Sequence, residues 1–239
     1  MLRVLRFFAT LVPATLYYSV KQLLLDQEKA TPDERDLPGK TYGRMMLRMA
    51  GIKVEADLSA LDPKGHYVFM CNHQSLFDIP ILFDVLWNYH MRFVAKESLF
   101  SIPVYGKALG NAGHISINRE NRRAAMKSVD EAVAAAKGGI SPLIFPEGTR
   151  NPNIDKLLDF KVGGMVLALK CGLPVAPLVM EGTGKLLPKK SFLFNPDQPV
   201  RLKALPPVDP AKYTLKEREQ FKDDMYAQMN AAYQELLRS

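Results

Sequence analysis

Apolar residues along this chain gather in short runs, at 66–71, 91–95, 114–117, 141–146 and 174–180, each bounded by Gly, Pro, Asn or charge. Runs of this length between such boundaries predict buried strands. Helical patterns fill the intervals at 41–50, 79–89, 121–137 and 162–171, and a charged amphipathic stretch covers 216–237. The third of these is Ala-rich, with Met126, Val129 and Val133 spaced along it. A run at 200–205 predicts an added edge strand, and the proline-rich stretch 196–210 a surface excursion. Strand alternating with helix predicts an α/β fold with a mixed, largely parallel sheet flanked by helices. Ligands of such sheets sit beyond the carboxyl ends of the strands.

The first 25 residues, MLRVLRFFATLVPATLYYSVKQLLL, follow a different pattern: they carry Arg3, Arg6 and Lys21 and no acid. The uncharged stretch runs only from Phe7 to Val20 and contains Pro13. A helix crossing the bilayer core needs about 20 apolar residues. Basic residues with Phe7, Phe8, Tyr17 and Tyr18 favour the headgroup boundary, so the expectation is a helical segment lying in the membrane interface. The competing readings are an amphipathic helix buried in the main fold and a cleaved signal, which lacks a small-x-small site. The polar stretch 26–40, with Pro32 and Pro38, is expected to be a loop. This divides the chain into a membrane-associated segment and linker, 1–40, and an α/β domain, 41–239.

Composition narrows the choice further. The chain has 239 residues, 47% of them hydrophobic, enough for one domain with a substantial core. Thirty-two Lys and Arg against 25 Asp and Glu leave a net charge of +7, which attracts polyanions: nucleic acid, anionic lipid or phosphorylated substrates. The basic residues are not interleaved with a nucleic-acid reading module, so no nucleic-acid partner is expected. Cys71 and Cys171 are far apart and the four histidines form no ligand cluster, which argues against a disulfide framework or structural zinc. Gly182-Thr183-Gly184-Lys185 lacks the spacing of a dinucleotide or P-loop motif.

Chemistry concentrates after the predicted strands. In Asn72-His73-Gln74-Ser75-Leu76-Phe77-Asp78, His73 and Asp78 stand five residues apart across a turn. A carboxylate there fixes the imidazole tautomer, leaving the other ring nitrogen to take a proton from an alcohol. Phe145-Pro146-Glu147-Gly148-Thr149-Arg150 follows the most hydrophobic strand. An arginine at the end of a Gly-containing turn presents a planar fork suited to phosphate, and Glu147 could set that fork or cap a neighbouring element. Lys96 and Arg119 follow two other strands. Three cations at corresponding strand ends suit a dianionic phosphate. Lys161, beyond Asp155 and Asp159, is a weaker candidate.

The order NHQSLFD, KESLFSIPVYGKALGNAGHISINR, FPEGTR and LPVAPLVMEG resembles the 1-acyl-sn-glycerol-3-phosphate acyltransferases of the bacterial PlsC type, within the glycerolipid acyltransferase superfamily. The likeness runs over 72–182, roughly half the chain. It implies that His73 is the catalytic base and Asp78 its partner, and that Arg119 and Arg150, with Lys96, hold the acceptor's phosphate. Glu147, Gly148 and Thr149 would shape the acceptor loop, and Pro174 and Pro177 the strand of the fourth block. It also implies an α/β domain with an N-terminal helical motif in the cytoplasmic leaflet, hence a place on the cytoplasmic face of the inner membrane.

The reaction so implied moves a fatty acyl group from acyl-CoA or acyl-carrier protein to the sn-2 hydroxyl of lysophosphatidate, giving phosphatidate. The thioester is already activated, so proton removal and placement are the main tasks, and neither metal nor other cofactor is required. Glycerol-3-phosphate and other lyso-lipids are the competing acceptors, and a nonenzymatic lipid-binding protein the competing class. Ser75 and Cys71 offer a covalent alternative, but neither sits in a recognised nucleophile motif.

Overall fold

The computed structural model describes residues 2–118, 121–192 and 194–238. Two helices open the chain, α1 (Leu2–Leu23) and α2 (Pro32–Ala50). There follow β1 (Val54–Asp57), β2 (Val68–Cys71), α3 (Asp78–Val85), β3 (Met91–Lys96), the short α4 (Glu97–Phe100), α5 (Tyr105–Asn111) and β4 (Ile115–Ile117). The second half holds α6 (Arg122–Lys137), β5 (Ser141–Ile144), α7 (Val162–Cys171), β6 (Val175–Glu181), the short α8 (Thr183–Leu186), β7 (Val200–Ala204) and α9 (Arg218–Arg238).

The strands form one seven-stranded sheet in the order β1-β7-β6-β2-β5-β3-β4. Every pairing is parallel except β6 with β7, so the sheet is mixed and largely parallel. The period of two shows in β2: Phe69 and Cys71 enter one core, Val68 and Met70 the other. The first core lies under α1, α2 and α3, the second under α6, α7 and α9.

Two boundaries differ from the sequence expectation. The stretch 26–40 is not all loop, because α2 starts at Pro32. Thr31 and Glu34 form a reciprocal capping box, and Pro32 sits in the first turn, where its missing N–H costs nothing. The 200–205 strand is not at the edge: β1 pairs outside it, Val54 opposite Val200. β1 is Val-Glu-Ala-Asp, mostly exposed, and so carries no apolar alternation to read.

The N-terminal membrane-associated segment requires correction. Among the described residues, no helix is long and apolar enough to cross a membrane. The polar side chains explain this and give α1 other partners. Ser19 and Gln22 are buried, and the Thr15 hydroxyl bonds the Leu11 carbonyl at 2.7 Å and the Tyr42 hydroxyl of α2 at 2.8 Å. Phe7 is buried in the first core, its ring 5.3 Å from Phe77 and 4.9 Å from Phe194. α1 thus packs on α2 and α5 as a helix of the fold. The placement on the cytoplasmic face of the inner membrane, which rested on that segment, falls with it.

Candidate active site

β2 ends at Cys71, and the chain after it is held by a side chain acting as backbone. Asn72, buried, donates its amide to the Met180 carbonyl at 2.8 Å and accepts the Met180 N–H at 2.7 Å. This pair extends the β2–β6 register past the last backbone pair of the ladder. The chain then turns sharply into α3, whose first residue is Asp78.

The buried Asp78 gathers that turn around one oxygen. Its Oδ2 accepts the N–H of Gln74 at 2.7 Å and of Ser75 at 2.9 Å, and lies 2.6 Å from His73 Nδ1. The carboxylate therefore holds the Nδ1–H tautomer and leaves Nε2 as the available base. The imidazole stacks on Phe145, centroids 4.0 Å apart and planes at 16°. Two contacts fix the ring's orientation: a carboxylate at one nitrogen and an aromatic face beneath.

The backbone of His73 is clamped by the loop after β5. Its N–H donates to Glu147 Oε1 at 2.7 Å, and its carbonyl accepts the Asn151 N–H at 2.7 Å. Glu147 Oε2 accepts the N–H of Leu158 at 2.8 Å. The Glu147 carboxylate thus serves two backbone donors and does not set the Arg150 fork. Burial raises its pKa to about 7, against the lowering effect of those hydrogen bonds. Gly148, at φ 72, closes a turn in which its N–H meets the Phe145 carbonyl at 3.0 Å. That left-handed corner favours glycine and lifts Thr149 and Arg150 out of the sheet.

Strand order explains why distant residues share one edge. β2, β5, β3 and β4 are consecutive neighbours. His73 follows β2 and Arg150 follows β5, while Lys96, exposed, is the last residue of β3. Arg119 lies outside the described residues. Lys161 caps α7, its N–H on the Pro146 carbonyl at 2.7 Å, and lines a cavity. That cavity, about 390 Å³, is walled by Val94, Ile117, Val129, Ile144, Phe145 and Leu167. Phe145 is common to the cavity and to the imidazole stack.

Neither alternative nucleophile is activated by His73. The Ser75 hydroxyl donates to the Leu187 carbonyl at 3.0 Å. The Cys71 thiol is fully buried, and desolvation, with Asp78 and Glu147 nearby, pushes its pKa well above the ordinary value. Among the described residues, no group of three or more His, Cys, Asp or Glu gathers as metal ligands do.

Three contributors escaped the sequence reading: Asn72, Lys189 and Tyr233. The Lys189 ammonium donates to the Arg150 carbonyl at 2.7 Å and the Thr149 hydroxyl at 3.3 Å. The Tyr233 hydroxyl of α9 accepts the Gln74 side-chain amide at 2.7 Å and donates to the Ile154 carbonyl at 2.6 Å. Asn72 had a signal, an amide directly after a buried strand. The other two lie far along the chain in ordinary surroundings.

A largely parallel sheet flanked by helices, with a His–carboxylate turn after its central strand and an arginine turn after the next, defines a class shared with known proteins. The Acyltransferase family matches residues 52–181, from β1 to the end of β6. The 1-acyl-sn-glycerol-3-phosphate acyltransferase of Limnanthes alba is 32% identical over 212 residues, covering 87% of this chain and 73% of that protein. The enzyme of the same name from Salmonella typhimurium is 32% identical over 178 residues, covering 72% and 71%. The crystal structure of the 1-acyl-sn-glycerophosphate (LPA) acyltransferase PlsC from Thermotoga maritima superposes with a TM-score of 0.81 at 25% identity, over 100% of this chain and 96% of that one. The chain belongs to the acyltransferase family and, within it, to the 1-acyl-sn-glycerol-3-phosphate acyltransferases of the PlsC type. It spans 65% of the length of the Cocos nucifera relative and 44% of the Chlamydomonas reinhardtii one.

Proposed function

We propose that this protein transfers a fatty acyl group from a thioester, acyl-CoA or acyl-carrier protein, to the sn-2 hydroxyl of lysophosphatidate, forming phosphatidate. The observation that carries the reading is the 2.6 Å contact between His73 Nδ1 and Asp78 Oδ2, which leaves the other ring nitrogen available as a base. The similarity to 1-acyl-sn-glycerol-3-phosphate acyltransferases supports lysophosphatidate as the acceptor.

His73 Nε2 takes the proton of the acceptor hydroxyl as its oxygen attacks the thioester carbonyl. The imidazolium is balanced by Asp78. The tetrahedral intermediate collapses with loss of the thiolate, to which the imidazolium returns the proton. No acyl group rests on the enzyme, in keeping with a buried Cys71 and a Ser75 hydroxyl committed to Leu187. Arg150, Lys96 and Arg119 hold the acceptor's phosphate, with Gly148 and Thr149 shaping the loop and Glu147 anchoring it to His73. The apolar cavity beside Phe145 receives hydrocarbon chain.

The test is a purified-protein assay that crosses lysophosphatidate, glycerol-3-phosphate and neutral lyso-lipids with both donor types, with products identified by mass. Phosphatidate formed by the native protein and lost in His73→Ala is the expected result. Acylation of glycerol-3-phosphate in preference to lysophosphatidate would overturn the acceptor assignment.

A further inference from the structure

Lys189 stands beyond the stretch that the family match covers, and it comes to the site from the opposite side of β2. β6, the strand before it, flanks β2 on one side, whereas β5 and β3, which lead to Arg150 and Lys96, lie on the other. After β6 the chain turns at Gly182, φ 95, where a Cβ would stand 2.2 Å from the Pro199 carbonyl oxygen. α8 follows, and Leu187 then accepts the Ser75 hydroxyl at 3.0 Å. Two residues later the Lys189 ammonium rests on the Arg150 carbonyl at 2.7 Å and the Thr149 hydroxyl at 3.3 Å. One short segment is therefore tied both to the catalytic turn and to the arginine loop.

The ammonium of Lys189 is held by neutral groups, unlike two other cations of this region. Lys185 and Arg201 are neutralised by Glu181, at 3.1 and 3.0 Å. Lys189 is half-buried and meets two neutral oxygens, and among the described residues no carboxylate pairs with it. An ammonium has three N–H donors, and two are spent. A cation held at a fixed place by neutral acceptors, with a donor to spare, is arranged for an anion that arrives with the substrate.

We propose that Lys189 is a further phosphate-binding residue, its ammonium taking an oxygen of the acceptor's phosphate from the side opposite Lys96. The assignment rests on the reading of Arg150 as the acceptor's anchor, because the same Thr149–Arg150 segment carries both cations. A phosphate gripped from two sides is fixed in position as well as bound, which sets the distance from the sn-2 hydroxyl to His73.

The test measures KM for lysophosphatidate and for the acyl donor in native protein, Lys189→Met, Lys189→Arg, Arg150→Ala and the Lys189→Met/Arg150→Ala double variant. Lys189→Met should raise the acceptor KM roughly tenfold, the size of one charge-assisted hydrogen bond. Lys189→Arg should recover most of the loss, and the donor KM should stay unchanged. In the Arg150→Ala background, Lys189→Met should raise the acceptor KM again. No further rise there would mean that Lys189 only braces the arginine loop, and the proposal falls. A rise in donor KM instead would assign the phosphate to the donor and also overturn it. If Arg150→Ala raises the acceptor KM and Lys189→Met does not, only Lys189 is misassigned. If neither does, or if native protein leaves lysophosphatidate unacylated, the acceptor reading itself fails and the proposal with it.

Discussion

Glu147 holds His73 by its backbone: the N–H of His73 reaches Glu147 Oε1 at 2.7 Å, while Oε2 holds Leu158 at 2.8 Å. One buried carboxylate thus joins the His73 turn, the loop after β5 and the approach to α7. Its cost appears in the pKa, which burial raises to about 7. In the unfolded chain a glutamate titrates near its ordinary value of about 4.3. Between those values the folded protein binds the extra proton, so this group favours folding below the lower value, and that contribution is lost as pH rises through about 7. At ~1.4 kcal/mol per unit the loss is at most about 4 kcal/mol. Denaturant unfolding of native protein and Glu147→Gln from pH 5 to 8.5 checks this. The stability difference between them should shift against native protein with rising pH, and parallel curves would refute it.

Asp78→Asn tests the proposed base directly. An asparagine keeps the volume but replaces a charged acceptor facing His73 Nδ1, Gln74 N–H and Ser75 N–H with a neutral amide. The imidazolium loses its counter-charge. We expect kcat to fall by about 10²–10⁴, the range of a positioned general base, with little change in the acceptor KM. A kcat within threefold of native would remove Asp78 from the mechanism.

The sequence carried the strands of the parallel core because each is buried on both faces: β2, β5 and β6 are buried at every position and mostly apolar. It carried the His73–Asp78 pair because the two are local, joined by a single turn. β1 was missed because an exposed edge strand needs no apolar pattern, and the start of α2 because prolines mark loops as readily as first helical turns. The N-terminal helix misled for a related reason. Its aromatic residues are the same whether they face a headgroup or, as Phe7 does, a protein core beside Phe77 and Phe194. Lys189 and Tyr233 reach the site through tertiary contact alone, 39 and 159 residues from their partners Arg150 and Gln74. No local spacing announces such pairs.

Asn72→Ala should separate stability from chemistry. It removes two buried hydrogen bonds to Met180 and leaves that residue's N–H and carbonyl unpaired beside the end of β2. Unsatisfied buried groups make the loss larger than the bonds alone, roughly 2–4 kcal/mol. Urea unfolding should show the midpoint move at constant slope. Asn72→Asp should be worse, since it buries a charge and removes the donor to the Met180 carbonyl. A midpoint unchanged in both would mean that the register past Cys71 is held elsewhere.

The cavity beside Phe145 gives a prediction about chain length. Ala125 lies on its lining and is only partly buried, so a larger side chain there fills space without forcing the core apart. Ala125→Trp replaces a methyl with an indole in a volume of about 390 Å³ bounded by Val94, Ile117, Val129, Ile144 and Leu167. If hydrocarbon occupies that space, long chains lose most. Each buried methylene contributes about 0.8 kcal/mol, so excluding a few of them costs 10- to 100-fold in kcat/KM. Donors of six to eight carbons, too short to reach the new side chain, should retain native rates. The measurement is kcat/KM across a donor series with lysophosphatidate fixed, then across acceptor chain lengths with the donor fixed. The series that shows the break identifies which substrate's chain the cavity holds, and a uniform loss at every length would show that neither chain enters it.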